Sequence, residues 1–253
     1  MGGKTKIEWA DATWNPLRGC TRVSPGCENC YAERVAARFS GLGKPYHGLA
    51  EMTSKGPRWT RKVRLVEAAL DLPLRWRKPA RIFVNSMSDL FHEDVPDGWI
   101  DRIFAVMALA PRHTFIVLTK RPARMKKYME RGCPLLIDSS WPIPNVFLGV
   151  SVEDQARAAE RIPILLDTPA AVRFISAEPL LGPVDLRRLG NNYVNRNALS
   201  GFLESSGGAL LTREALPPIN WAIVGGESGP NARPCDLAWI RAIVDQCKAA
   251  GVP

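Results

Sequence analysis

The sequence predicts an α/β fold, an open, partial (βα)6 TIM-like barrel built as a single domain over residues 1–253. Three observations point there. Short runs rich in Val, Ile and Phe recur along the chain, amphipathic stretches of helical period separate them, and polar residues gather just after each apolar run. Apolar residues on consecutive positions mark strands covered on both faces, as in parallel sheets. Six such units fit an open arc better than a closed eight-fold ring.

The first unit runs from 13–18 into a cysteine-bearing loop, and 30–39 (CYAERVAARF) follows with helical spacing. Five strand-like runs come next, at 81–86 (RIFVNS), 114–119 (TFIVLT), 145–151 (NVFLGVS), 172–177 (VRFISA) and 220–225 (NWAIVG). Amphipathic stretches at 98–109, 123–130, 153–166 and 237–249 supply the helices. Two segments fall outside the pattern: a basic, aromatic insertion at 40–74, and a second at 190–218 whose Asn, Ser and Gly content predicts a flexible excursion.

Composition narrows the class. No apolar run approaches the roughly 20 residues needed to span a bilayer, and the basic N-terminus has no apolar stretch behind it, so the cytoplasm is the expected compartment and no membrane partner is expected. The net charge of +9 favours an anionic partner, nucleic acid first. Hydrolase and nucleotide-fold motifs are absent: there is no G-x-S-x-G, H-E-x-x-H, G-x-G-x-x-G or P-loop. Six cysteines in such a chain do not read as a disulfide framework. Cys133, Cys235 and Cys247 are scattered, and each reads as a small hydrophobe.

The other three crowd together. Cys20, Cys27 and Cys30 form C-x6-C-x2-C-Y, closed by Tyr31. Three thiolates in one loop are soft anionic ligands suited to iron–sulfur clusters or to zinc. A [4Fe–4S] cluster held by three cysteines keeps one iron open, which can chelate the amino and carboxylate groups of S-adenosyl-L-methionine (SAM). Reduction then yields a 5′-deoxyadenosyl radical. Zinc instead asks for a fourth ligand, with His47 near in sequence and Cys235 farther away. Tyr31 is placed to stack near the cluster or the adenine. Polar groups end the other strands: Asn85, Ser86, Ser88 and Asp89; Thr119, Lys120 and Arg121; Ser151 and Glu153; Ser176 and Glu178; and Gly225–Gly229 with Glu227. Each alone could be a helix cap, but a shared rim suggests a cleft. His92 is the one histidine expected on that rim.

Trp14-Asn15-Pro16, the cysteine loop, IFVNSMSDLFH (82–92), FIVLTKRP (115–122), LGVSVE (148–153), SAEPLLG (176–182) and VGGESG (224–229) together resemble the phage-associated three-cysteine-motif proteins, over nearly the whole chain. That family is regarded as related to radical SAM enzymes. A more distant likeness is to spore photoproduct lyase and its relatives. The spacing departs from their usual C-x3-C-x2-C, and Ser86 or a neighbour stands where the lyase has its hydrogen-donor cysteine.

The resemblance implies a partial barrel of the radical SAM type, a [4Fe–4S] cluster on Cys20, Cys27 and Cys30, and SAM bound with help from Ser88, Lys120 and Ser151. Lys120 would pair with the SAM carboxylate. With the other rim residues, the candidate cofactor-binding set is Tyr31, Ser86, Ser88, Asp89, Lys120, Ser151, Glu178 and Glu227. The expected activity is modification or repair of DNA, RNA or a nucleotide, with an electron donor such as flavodoxin or ferredoxin, in the host cytoplasm if the chain is phage-encoded. The competing reading is a zinc-stapled, non-catalytic nucleic-acid-binding protein.

Overall fold

The structure is a computed structural model that describes residues 3–136, 140–190, 194–205, 209–212 and 215–253. Six parallel strands form its centre: β1 (Ala12–Trp14), β2 (Arg81–Val84), β3 (Thr114–Thr119), β4 (Val146–Ser151), β5 (Val172–Ala177) and β6 (Trp221–Val224). Each pairs with the next along the chain, so spatial order equals chain order. Gly3–Lys4 adds an antiparallel edge outside β1. Among the described residues β1 and β6 do not pair with each other, and the sheet is open. No helix among those residues is long and apolar enough to cross a membrane.

Parallel strands laid down in chain order by right-handed crossovers place their helices on one face. The helices are α1 (Tyr31–Arg38), α2 (Asp97–Leu109), α3 (Pro122–Arg131), α4 (Gln155–Leu166) and α5 (Leu237–Ala249). Local sequence starts several of them: Pro122 opens α3, while Asp154 and Asp236 accept the backbone N–H groups of Arg157 and Ala238 at 2.7 and 2.8 Å. Buried side chains of α2–α5 share one core with alternate strand residues, among them Ile82, Val84, Phe115, Val117, Leu148, Val150 and Ile175. Each such burial stabilises by about 1.5–3 kcal/mol.

The intervening strand residues face the other way. Ile116, Phe147, Phe174 and Ile223 pack there with Trp9 and Trp221. The Trp9 ring lies 4.7 Å from Phe83 on β2 and 6.1 Å from Trp221 on β6. In a flat sheet those strands would be about 19 Å apart, at roughly 4.8 Å per strand. One indole reaches both because the sheet curls, so its inner side chains meet one another instead of a second helix layer. Both expected apolar sets are therefore covered, one by helices and one by curvature.

The two segments outside the repeat are folded. Residues 40–74 carry an antiparallel hairpin (Ala50–Thr53 with Gly56–Trp59), the strand Arg64–Leu65 and two short helices, Glu67–Leu70 and Leu72–Arg75. The 190–218 segment, expected as a flexible excursion, carries strands among its described residues. Leu189–Gly190, Val194–Arg196 and Leu203–Ser205 form an antiparallel sheet in place of a helix between β5 and β6. Ala198 and Leu199 join the main core, and Arg196 pairs with Asp167 at 2.6 Å, which ties the segment to the end of α4. Residues 191–193, 206–208 and 213–214 of that expectation lie outside the described residues.

Candidate active site

The concave face opens at the C-terminal ends of the strands into a cavity of about 890 Å³. Cys20, Cys27 and Cys30 line it, and so do Tyr31, Ser86, Ser88, Asp89, Lys120, Ser151, Glu178 and Glu227. The fold thus gathers every candidate metal-ligating and cofactor-binding residue around one space, from loops more than two hundred residues apart in sequence.

The cysteine loop is shaped by its neighbours. Leu17–Arg18 pairs antiparallel with Arg64–Leu65 before the loop begins. Gly19 then takes φ +92°, and a Cβ there would run into the Lys62 carbonyl oxygen, so only glycine lets the chain turn toward Cys20. A single helical turn, Pro25–Cys27, ends at the second thiol, and α1 starts directly after the third, Cys30.

Buried ion pairs hold this loop. Glu153 accepts from the Ser24 hydroxyl, from Gly26 N at 3.3 Å and from Arg161 at 2.8 Å, with both partners of the ion pair almost fully buried. Glu33 of α1 accepts from Arg22 and, at 2.8 Å, from Trp59 N. Arg121 donates to Asp89 (3.0 Å), Glu93 (2.6 Å) and the Thr21 hydroxyl (2.6 Å), and lies 4.0 Å from the Cys20 sulfur. Across the opening, Arg233 donates to the Pro25 carbonyl and Glu28 at 3.0 Å each, fastening the loop after β6 to the cysteine loop.

The thiols sit in a common electrostatic environment. Burial, followed by the nearby Asp89 carboxylate and, less, by Cys30 and Cys27, pushes the Cys20 thiol up to about 12 against the lowering charge of Arg121. Burial likewise raises Cys30. The Cys20 and Cys30 thiols are therefore stable protonated, and a cation that displaced their protons would supply the missing charge. Among the described residues no three His, Cys, Asp or Glu side chains are gathered tightly enough to clasp a metal ion. Neither His47 nor Cys235 lines the cavity.

The other candidates divide into engaged and available groups. Asp89 is committed to structure: it accepts from Thr119 Oγ1 at 2.7 Å, from Phe91 N and Lys120 N, and from Arg121. Glu227 is held by Arg233 and by Asn29 at 2.8 Å, and chiefly the Arg233 guanidinium lowers its pKa to about 2. Ser86 and Ser88 donate to Asn15 Oδ1 (3.2 Å) and the Leu17 carbonyl (3.1 Å). Tyr31 donates to the Ser86 carbonyl at 2.5 Å with its partly exposed ring against the cavity. Lys120, by contrast, has an ammonium with no hydrogen-bond partner among the described residues, near Cys30 and Glu178. Burial raises the Glu178 carboxyl, Glu8 raises it further, and Lys120 opposes both. Ser151 is buried on the inner wall.

One expectation is corrected and several residues are added. His92 is not on the rim: it is fully buried, its Nδ1 accepting from Asp94 N at 3.1 Å and its Nε2 donating to Thr21 Oγ1 at 2.9 Å. Burial lowers its pKa, in keeping with a neutral ring that supports the cysteine loop from below. Asn85, which ends β2 at φ +60°, lines the cavity with its Nδ2 buried and unpartnered while Oδ1 accepts from Leu17 N at 3.3 Å. Glu153 and Arg121, read from the sequence only as strand-end polar groups, act as clamps, and Arg233 is an addition. Their sequence signal was only their position after a strand or loop, which does not distinguish a clamp from a cap.

No curated protein and no solved structure matches the chain. Residues 4–253 match the family described as a protein of unknown function, DUF5131, and the chain belongs to that family.

Proposed function

We propose that the protein is a radical SAM enzyme whose Cys20, Cys27 and Cys30 hold a [4Fe–4S] cluster, acting on a nucleic acid or nucleotide. The observation that carries this reading is the convergence of three thiols from one loop, without a fourth Cys or His among the described residues lining the space, on a cavity that also holds an unpaired lysine. The curled sheet of six parallel strands in chain order, helices outside and cavity at the C-terminal strand ends, agrees with a partial TIM-like barrel of the radical SAM type.

The residues suit such a cluster. Cys20, Cys27 and Cys30 would hold it, since all three thiols line one cavity. When bound and reduced, the cluster supplies the electron that cleaves the SAM sulfonium. The chain's own groups bind and orient. Lys120 takes the SAM carboxylate in a charge-assisted interaction. The Tyr31 ring packs against a flat apolar group. Arg121, 4.0 Å from Cys20, supplies positive charge that favours the thiolate.

The test is anaerobic reconstitution with iron and sulfide, reduction, and a search for 5′-deoxyadenosine with and without DNA or RNA. The proposal expects visible absorption from a bound cluster and SAM cleavage, both lost in Cys27→Ala. Stoichiometric zinc and no cleavage would favour the zinc-stapled binding protein instead.

A further inference from the structure

The positive charge of this chain is concentrated beside the cavity. Residues 34–64 hold eight Lys or Arg and one acid, Glu51, so this stretch carries +7 of the chain's +9. Lys44, Lys55, Arg61, Lys62 and Arg64 are exposed, and among the described residues none of them forms an ion pair. On the cysteine loop and the cavity wall, by contrast, Arg22, Arg121, Arg161 and Arg233 each meet a carboxylate. Unbalanced charges this close repel one another and persist where a polyanion neutralises them.

The frame beneath them is fixed. Ala36 and Ala37 of α1 form a small core with Tyr46, Leu49 and Ala50, against which Trp59 packs. The backbone at Lys62 lies against Gly19, the residue before Cys20. Arg61 is held at φ +67°, an uncommon backbone state for a side-chain-bearing residue. At the inner end of this cationic run, Trp59 and Tyr31 both line the cavity. Cations followed by aromatic rings at a mouth match what single-stranded nucleic acid asks of a protein: phosphates tracked by charge and bases stacked on rings.

We infer that the 34–64 face is a docking surface for single-stranded nucleic acid, which follows the cations and delivers one base past Trp59 into the cavity. This deepens the proposed function, on which it rests, by making the substrate a strand and not a free nucleotide. The face also carries the exposed apolar side chains Leu42 and Met52. An anionic membrane surface is therefore an outcome that the test must separate.

The test is fluorescence anisotropy of the full chain, before and after cluster reconstitution, with labelled single-stranded and duplex oligonucleotides of mixed sequence. Unlabelled mononucleotide competes, and phosphatidylcholine–phosphatidylserine vesicles form a parallel arm. The inference expects single strands to bind most tightly, with an affinity that falls steeply as salt rises. Each phosphate left without its cation should flatten that log–log dependence by about 0.7. The double variant R61A/K62A should lose about tenfold or more in affinity. K126A/K127A, an equal loss of charge on α3, should change nothing beyond about twofold. Equal loss in both double variants, duplex or vesicle binding that exceeds single-strand binding, or full competition by mononucleotide would overturn it. The outcomes are separable: a chain that binds strands as expected but takes up no iron leaves this inference standing and removes the radical SAM reading.

Discussion

The two faces of the same sheet are built to opposite rules. On the outer face Phe115, Leu148, Val150 and Ile175 disappear beneath α2–α5, and that core asks only for apolar volume. On the inner face the alternate positions change character along the strand. They are aromatic and aliphatic at the base, where Trp9, Phe174 and Trp221 meet, and become Asn85, Lys120, Ser151 and Glu178 at the top. One residue step in a strand separates stability from chemistry. The difference shows how a single scaffold carries reactive groups without giving up its core: the helices hold the outer face regardless of what lines the inner one.

Substitutions can break or sharpen that contrast. The largest effect is expected at Glu153, which belongs to both sides because it joins the buried Arg161 of α4 to the cysteine loop. Glu153→Ala leaves that guanidinium uncompensated and should cost about 3–5 kcal/mol in denaturant unfolding, and should also lower iron uptake by the fraction that stays folded. A purely outer-face change, Leu148→Ala, should cost about 3 kcal/mol while iron bound per folded chain stays unchanged. Parallel loss of iron there would erase the distinction between the faces.

A smaller effect depends on pH. Glu227 has its folded-state pKa lowered, chiefly by Arg233, from 4.5 to about 2. The stability this gives is present above the unfolded value and is lost as pH falls from about 4.5 through 2. It amounts to about 2 kcal/mol once the partial exposure of Arg233 is allowed for. Unfolding curves of Glu227→Gln should therefore lack that acid slope. The smallest change in stability belongs to Lys120→Ala, which should shift unfolding by less than about 0.5 kcal/mol yet weaken SAM binding about tenfold by calorimetry. A destabilised Lys120→Ala would mean the ammonium is structural.

Much of this architecture was readable beforehand because parallel α/β units write their period into the chain. The amphipathic stretches at 98–109, 123–130 and 237–249 coincide with α2, α3 and α5 to within a residue at each end. The rim was readable too, since polar groups just after apolar runs must emerge at one end of a parallel sheet. Tertiary partnership was not. Nothing local says that Glu227 is neutralised by Arg233 while Lys120 is left free, or that His92 folds under Thr21 and out of the cavity. The 190–218 segment reads as an excursion because Asn, Ser and Gly dominate it. Its described strands arise from long-range pairing, and Ala198 and Leu199 reach the core, neither of which composition registers.

On the proposed function, what the three thiols bind decides the chemistry of the whole cavity. Iron and acid-labile sulfide measured on the anaerobically reconstituted chain, with electron paramagnetic resonance after reduction, answers that most directly. About four irons per chain, with a reduced-cluster spectrum that changes on adding SAM, is the predicted result. Zinc closed by a further protein ligand, or a cluster whose spectrum is indifferent to SAM, would contradict it.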